Sequence, residues 1–212
     1  MRNIPFFTTE FGIASLVLEE IPYRNEAYIT VQSTHDPVIF LKECADFCRM
    51  AGATKIYATG HACLNRYPLY TAILEMVCKR SALSESDAVL HPVQRDTLGR
   101  WRSIYNQKMR NVHYATAMTD ASAEKVLSDG DAYFVCKDGK LLGIGKGSED
   151  TISVVISLVP GGGKQIVLAL ANAMSCDTLR LEVASSNSKA VQLYRQLGFT
   201  ERRTISEWYA VE

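Results

Sequence analysis

A run of residues that is apolar at nearly every position, Thr151 to Val159, is followed by Pro160 and three successive glycines. Such a run, bounded by proline and glycine, predicts a strand that is buried on both faces. The apolar residues between Gly161 and Ser175 recur at helical spacing, and Thr178 to Val183 has the pattern of another strand. A glycine-opened helix between two strands is typical of the α/β class of folds.

The rest of the chain also alternates between strand and helix patterns. Two apolar segments, Ala132 to Cys136 and Leu141 to Ile144, flank an Asp-Gly turn and predict a hairpin. The other predicted strands are Phe6 to Thr9, Ile13 to Leu18, Ala27 to Gln32, Lys55 to Thr59, Ala88 to His91, Thr200 to Thr204 and Glu207 to Val211. The other predicted helices are Pro37 to Met50, Pro68 to Cys78, Thr97 to Arg110, Ala121 to Leu127 and Ser188 to Leu197. We therefore expect an α/β fold with a mixed, mostly antiparallel sheet flanked by helices.

The order of predicted elements in the first part of the chain repeats in the second part. A polar, serine-rich segment, Ser81 to Asp87, separates the two parts and is the expected boundary. We interpret residues 1–85 as a truncated, degenerate half domain and residues 86–212 as a complete domain. The competing interpretation is that an α/β chain shows such an alternation by chance.

The 212 residues contain 23 Lys and Arg and 23 Asp and Glu, so the formal net charge is zero. This balance argues against a generally basic nucleic-acid-binding protein. No apolar stretch approaches the roughly 20 residues that a membrane span needs, and the first residues lack a secretory signal pattern. We expect a cytoplasmic protein with neither a nucleic-acid partner nor a membrane partner.

Six cysteines at scattered positions are typical of reduced thiols and not of a disulfide framework. Cys44 and Cys48 lie four residues apart on a predicted helix, and His61 and Cys63 follow, so the ligand types suit zinc. Apolar neighbours on the same helix favour a core position instead, where cysteine behaves as a small hydrophobic residue. We expect no metal site.

The three glycines have a specific physical consequence at the start of a helix. Without side chains, Gly161, Gly162 and Gly163 let backbone N–H groups converge on an anion where the helix dipole favours negative charge. Lys164 adds a cation beside them. The spacing is neither that of a Walker A loop nor that of a dinucleotide-binding fingerprint. The segment predicts a pyrophosphate-binding loop, and the alternative is a flexible turn with a solvated lysine.

A second motif follows the strand Thr178 to Val183. It consists of Asn187 and then Ala190-Val191-Gln192-Leu193-Tyr194-Arg195-Gln196-Leu197-Gly198-Phe199. The motif resembles the last third of the GNAT superfamily of N-acetyltransferases, where a strand and an Asn precede Ala-x-x-Leu-Tyr-x-x-x-Gly-Phe. The glycine loop matches that family in part: Gly161 and Gly163 take glycine positions, and Gln165 replaces a third small residue.

The resemblance implies that acetyl-CoA is the cosubstrate and that its acetyl group is transferred directly to a primary amine. It also implies that a backbone N–H near Leu158 holds the thioester carbonyl and that Tyr194 gives a proton to the departing thiolate. Asn187 would contact the pantetheine arm or position its helix. The residues implied in cofactor binding are Leu158, Val159, Gly161, Gly162, Gly163, Lys164, Gln165, Asn187 and Tyr194.

The base that deprotonates the amine is harder to assign. An alkylamine has a pKa near 10.4, so a base must remove its proton near neutral pH. Many family members have a Glu on the strand that corresponds to Thr151 to Val159, which contains no acid here. Glu182 on the next strand is the first candidate, and Glu149 and Asp150 are reserves. The alternative is that Glu182 is an exposed strand acid without a catalytic role.

The first half of the chain lacks a glycine loop. The corresponding segment, Ser33 to Pro37, contains no glycine and has Asp36 where a phosphate would bind, which should repel the cofactor. We therefore assign cofactor binding to the second part and a structural or substrate-wall role to the first.

Several choices stay open at the level of the sequence. The acceptor is a small-molecule or peptide amine, and polyamines, amino acids, aminoglycosides, peptide N-termini and protein lysines all fit. The chain is either a monomer with an internal pseudo-dimer or a homodimer. Two rival functions are a non-catalytic acyl-CoA-binding or sensing module and an interaction scaffold.

Overall fold

Alternating strands and helices make up the computed structural model, which describes residues 6–110, 112 and 115–211. The strands are β1 (Phe6–Thr9), β2 (Gly12–Val17), β3 (Glu26–Thr34), β4 (Lys55–Thr59), β5 (Leu69–Lys79), β6 (Val89–Pro92), β7 (Ala132–Lys137), β8 (Lys140–Ser148), β9 (Thr151–Ser157), β10 (Thr178–Ala184) and β11 (Thr200–Ala210). The helices are α1 (Ile21–Arg24), α2 (Pro37–Met50), α3 (Leu98–Met109), α4 (Asp120–Asp129), α5 (Gly162–Ala173) and α6 (Ser188–Gln196). Short 3-10 helices span Ala62–Arg66 and Arg80–Ala82.

Most of the predicted elements are confirmed. Helix α2 and strand β4 have the predicted bounds. The hairpin of β7 and β8 turns at Asp138 and Gly139, whose positive φ angles of 49° and 71° are those that an Asp-Gly turn requires. Within the described part of the chain, no helix is long and apolar enough to cross a membrane. The expectation about the N-terminal signal concerns residues 1–7, of which residues 1–5 lie outside the described residues.

Two predicted elements are wrong. The predicted helix Pro68 to Cys78 is strand β5, and most of its residues are buried on both faces. A nearly continuous apolar run does not distinguish a buried strand from a buried helix, because it has neither period. The predicted strand pair at the C-terminus is one continuous strand, β11.

The chain folds into two compact units. The first unit comprises residues 1–73 and 205–212, and the second comprises residues 74–204. Strands β5 and β11 therefore each contribute residues to both units. This division describes compactness, and the interpretation of residues 1–85 and 86–212 as a half-copy and a complete copy stays a prediction.

The first unit has a sheet with α2 packed on one face. Its strand order is β1-β2-β3-β4-β11-β5. The β3–β4 pair is parallel, whereas β1–β2, β2–β3 and β4–β11 are antiparallel. Residues of α2, β3 and β4 form one buried core, in which Phe40, Ile29 and Ile56 are fully buried.

The second unit has a mostly antiparallel sheet with the strand order β11-β5-β10-β9-β8-β7-β6. The β9–β10 pair is parallel, and α5 connects its two strands. Helices α5 and α6 pack in one core with Leu179, Leu181 and Val183 of β10. Helices α3 and α4 pack in a second core, around the fully buried Trp101. The glycine segment thus lies where a central strand meets a buried helix.

Candidate functional site

Strands β9 and β10 pair only at their beginnings. The parallel register joins Thr151 to Arg180 and Ile152 to Leu181, so five of the seven residues of β9 lie beyond it. On its other side, β9 stays paired with β8 as far as Ser157. The sheet therefore opens along one edge of β9, and the opening leads to the glycine segment.

The direction of the backbone N–H groups in β9 follows from its pairing with β8. The Leu158 N–H donates to the Leu142 carbonyl at 2.8 Å. Because N–H groups alternate in direction along a strand, those of Val155 and Ser157 point away from β8, towards the opening. The family resemblance implies a backbone N–H near Leu158 for the thioester carbonyl, and the N–H of Leu158 itself is already bonded inside the sheet. The backbone donor next to it that faces the opening belongs to Ser157.

The glycine segment begins α5 without a side-chain cap among the described residues. Gly161 is the N-cap and has φ of 75°, a left-handed conformation that glycine adopts without strain. The Gly162 N–H donates to the Val159 carbonyl at 3.1 Å. The N–H groups of the following residues have no intrahelical acceptor, because the first turn of any helix leaves its donors unpaired. The helix start therefore presents free donors and the positive end of the dipole.

Close packing explains the two glycines that follow the cap. A Cβ built on Gly162 would lie 2.6 Å from Ser157 Oγ, and one on Gly163 would lie 3.0 Å from Leu193 Cδ2 on α6. The Ser157 hydroxyl donates to the Val159 carbonyl, which also accepts from Gly162. These contacts pack the corner between β9 and α5 closely.

Of the two polar residues after the glycines, only Lys164 is exposed. Gln165 is half-buried, and its Oε1 accepts a hydrogen bond from Ser86 Oγ at 2.9 Å. Its side chain is thus used to attach the first turn of α5 to the segment before β6. Lys164 can supply a charge to a bound anion, whereas the Gln165 side chain is already bonded to Ser86.

Helix α6 carries the two residues that the second motif singled out. Asn187 is its N-cap, and Oδ1 accepts from the Ala190 N–H at 3.3 Å. This contact fits the helix-positioning role that was one of its two predicted roles. Tyr194 is 8% exposed and packs beside Phe199, with ring centroids 5.9 Å apart. Burial raises the pKa of the Tyr194 phenol to about 12, so the hydroxyl stays protonated at neutral pH.

The candidate bases lie in different places. Glu182 is exposed and directly follows Leu181, the last residue of β10 that pairs with β9. It therefore lies where the two strands part. Glu149 and Asp150 immediately precede β9, on the paired side of that point. Asp150 also accepts from Arg180 Nε at 2.9 Å. Of the three acids, Glu182 is the one that adjoins the unpaired part of β9.

Sequence reasoning missed one acid in this unit. Glu75 on β5 is only 5% exposed, and its carboxylate accepts from Nε and Nη2 of Arg203, at 3.1 and 3.4 Å. The segment was predicted to be a helix, and that prediction gave no reason to expect that Glu75 is buried. The signal in the sequence is a single acid in the middle of an apolar run.

The first unit provides a counterpart to the glycine segment. Helix α2 begins after Asp36, whose Oδ1 accepts from the N–H groups of Val38 and Ile39, both at 3.2 Å. Pro37 removes a further donor. The start of α2 is thus capped by a carboxylate of the chain itself, at the position where the sequence predicted an obstacle to phosphate.

The cysteines of α2 are buried. Burial raises the pKa of the Cys44 thiol to about 12 and that of Cys48 to about 11. Both side chains belong to the core of the first unit. Among the described residues, no cluster of three or more His, Cys, Asp or Glu side chains could hold a metal ion.

Comparisons with known proteins identify the fold. No family model and no curated protein sequence matches the chain. The structure of a functionally unknown conserved protein from Staphylococcus epidermidis matches with a TM-score of 0.57 and 11% identity, over 99% of this chain and 94% of that one.

Structures of GCN5-related N-acetyltransferases match as well. The protein from Sphaerobacter thermophilus gives a TM-score of 0.54 and 12% identity, over 94% of this chain and 76% of that one. The protein from Anabaena variabilis gives a TM-score of 0.62 and 12% identity, over 94% of this chain and 59% of that one. At such low identity the likeness concerns the fold alone. The chain has the mixed, mostly antiparallel α/β fold of the GNAT acetyltransferases.

Proposed function

We propose that the protein is an N-acetyltransferase that moves an acetyl group from acetyl-CoA to a primary amine by direct transfer. One observation carries this proposal: the opening between β9 and β10 ends at an uncapped, glycine-built helix start. An extended molecule with a pyrophosphate at one end matches these two features together. The first feature offers strand-like backbone contacts, and the second offers an anion site.

The residues at the helix start fit a pyrophosphate. Side chains at Gly162 and Gly163 would press against Ser157 and Leu193, so glycine at both positions lets α5 begin close to β9 and α6. The free N–H groups of the first turn would donate to phosphate oxygens, and exposed Lys164 would add a charge. The N–H groups of Val155 and Ser157 would bind the arm and the thioester carbonyl along the open edge of β9.

Acetyl transfer forms one C–N bond and breaks one C–S bond. The amine loses a proton as it attacks, and Glu182 is the group that would accept it, directly or through water. The sulfur leaves as a thiolate. A thiol has a pKa of about 8.5, far below that of Tyr194, so the phenol would stabilise the thiolate by a hydrogen bond and not by full proton transfer. The thiol would then take its proton from solvent.

A non-catalytic acyl-CoA-binding module is the second candidate. The observation that favours it is the absence of an acid from β9, where Thr151 to Ser157 contains none. Such a module would bind CoA and acetyl-CoA without transferring the acetyl group. The two candidates therefore share the cofactor site and differ in turnover.

Calorimetric titration with CoA and acetyl-CoA tests the site. We expect the wild-type protein to bind with a Kd of roughly 1–100 μM, and Lys164→Glu to weaken binding at least tenfold. Lys189→Glu is the matched control, because Lys189 is also an exposed lysine in the first turn of a helix, α6. Equal loss in both variants would point to general electrostatics and not to the glycine segment.

Turnover then separates the candidates. Release of free CoA in the presence of amines, lost in Glu182→Gln with the Kd for acetyl-CoA unchanged, supports transfer. Binding without release for any amine supports the sensing module. No binding of CoA by the folded wild-type protein would rule out both and leave the scaffold.

A further inference from the structure

Two arginines contact the buried carboxylate of Glu75 from strand β11. Arg203 binds it through Nε and Nη2, and the Nε of Arg202 lies 3.7 Å from Glu75 Oε2. The side chains of Arg202 and Arg203 are 64% and 67% exposed. One carboxylate therefore faces two guanidinium groups, and this three-residue cluster has a net charge of +1. Both side chains thus remain largely accessible to solvent.

The register of β5 against β10 places this cluster beside Glu182. The Arg80 N–H, directly after β5, donates to the carbonyl of Asp177, directly before β10, at 2.9 Å. The two neighbouring strands therefore run antiparallel. Counting back from this bond along both strands places Glu75 opposite Glu182.

The buried residues agree with this register. Residues directly opposite each other in an antiparallel pair point to the same face of the sheet. The count places Met76 opposite Leu181 and Cys78 opposite Leu179, and all four belong to the core that contains α5 and α6. Glu75 and Glu182 therefore share the other face, with their Cβ atoms about 5 Å apart.

The proposed function gives this arrangement a use, and the inference rests on it. We propose that Arg202 and Arg203 bind an anionic group, a carboxylate or similar, on the acceptor whose amine is deprotonated at Glu182. The acceptor class is thus an amine that carries a negative charge, such as an amino acid or a peptide. A polyamine would instead place its second ammonium group against the two positively charged arginines.

The spacing between strands sets the distance between the two arginines and Glu182. Neighbouring strands lie about 4.8 Å apart, and β11 is two strands from β10, so the arginines and Glu182 are separated by roughly 10 Å or less. Guanidinium groups bind carboxylates with two parallel hydrogen bonds, which gives direction as well as charge. An acceptor whose amine and carboxylate are about 5–10 Å apart would contact Glu182 and the two arginines at the same time.

Binding of three matched amines tests the inference independently of catalysis. The probes are 6-aminohexanoate, hexylamine and 1,6-diaminohexane, which share the chain and differ at its far end. We expect the wild-type protein, titrated by calorimetry, to bind 6-aminohexanoate at least tenfold more tightly than either of the others. Arg202→Gln combined with Arg203→Gln should abolish that preference, whereas Arg49→Gln, at an exposed pair in α2, should keep it.

Glu75→Gln keeps the test valid if the arginine variant is unstable. It raises the charge of the cluster from +1 to +2, so the preference for 6-aminohexanoate should increase several-fold. A purely structural ion pair predicts the same loss for all three probes instead. Equal binding of the three probes by the wild-type protein, or a preference for the diamine, overturns the inference. Neither result bears on the binding of CoA, so failure of the proposed function is detected separately.

Discussion

Each unit of the molecule contains a parallel strand pair joined by a helix, and the two pairs differ in how they close. In the first unit, all five residues of β4 pair with β3, and Asp36 caps α2. In the second unit, only two residues of β9 pair with β10, and glycine begins α5 without a cap. The same arrangement of strand, helix and strand is closed in one unit and open in the other.

The difference shows that the arrangement itself does not make a binding site. In the first unit β4 pairs with β3 along its whole length and Asp36 accepts from two N–H groups of α2, so these backbone groups are not available to a ligand. In the second unit the N–H groups along one edge of β9 and at the start of α5 are left free. Helix α2 begins with the carboxylate of Asp36, whereas α5 begins with Gly161. This local difference decides whether the donors at the helix start are used by the chain.

The largest expected effect comes from giving α5 the cap of α2. In Gly161→Asp a carboxylate would compete for the free N–H groups and repel a pyrophosphate, so we expect the affinity for CoA to fall more than ~100-fold. A Cβ at Gly161 meets no atom within 4 Å, and Asp tolerates a positive φ better than most residues. Calorimetry with CoA measures the loss.

Gly161→Asn separates charge from shape in the same position. It has the same size and also caps helices, but it carries no charge. We expect it to lose less than tenfold in affinity. If both variants lose the same affinity, backbone strain and not the carboxylate causes the effect, and the comparison with Asp36 fails.

The next effect concerns turnover. Tyr194→Phe removes the only proposed hydrogen bond to the departing thiolate, and we expect kcat to fall by about 100-fold while the Kd for CoA changes less than twofold. Single-turnover assays measure the chemical step. Tyr209→Phe is the control, because Tyr209 binds Asn65 and Glu207 in the first unit. Unchanged kcat in Tyr194→Phe would leave this tyrosine a core residue.

The raised pKa of Tyr194 also predicts how stability changes at high pH. The phenol titrates near 10 in the unfolded chain and near 12 in the folded one, so the folded state holds its proton more tightly. The stability from this difference is complete below pH 10 and is lost as the pH rises towards 12. Between these values the wild-type protein should lose about 2 kcal/mol more than Tyr194→Phe, at about 1.4 kcal/mol per pKa unit. Urea unfolding at pH 9, 10 and 11 measures the start of this divergence.

The smallest effect is expected in the closed unit. Asp36→Ala removes the acceptor for two N–H groups of α2 and should lower the free energy of unfolding by about 1 kcal/mol. Asp36→Asn keeps an acceptor and should lose little. The Kd for CoA should not change in either variant. A change in that Kd would mean that the first unit takes part in cofactor binding.

The sequence was sufficient where local pattern decides the structure. The Asp-Gly turn, the helix from Pro37 and the glycine start of α5 were all predicted, because turns, caps and helical periodicity depend on neighbouring residues. The prediction failed for β5, whose apolar residues on both faces fit either a strand or a helix. That error hid Glu75, and with it the pair of arginines.

Sequence alone determined the chemical character of the candidate site: glycines at a helix start, a lysine beside them, and the Asn and Tyr of α6. The tertiary structure decided which backbone and side-chain groups are free. The Leu158 N–H donates to the Leu142 carbonyl, and the Asn187 side chain accepts from the Ala190 N–H. Glu182 lies where β9 and β10 part. These outcomes depend on pairing between strands and helices distant in the chain, where register and not composition selects the partner of each group.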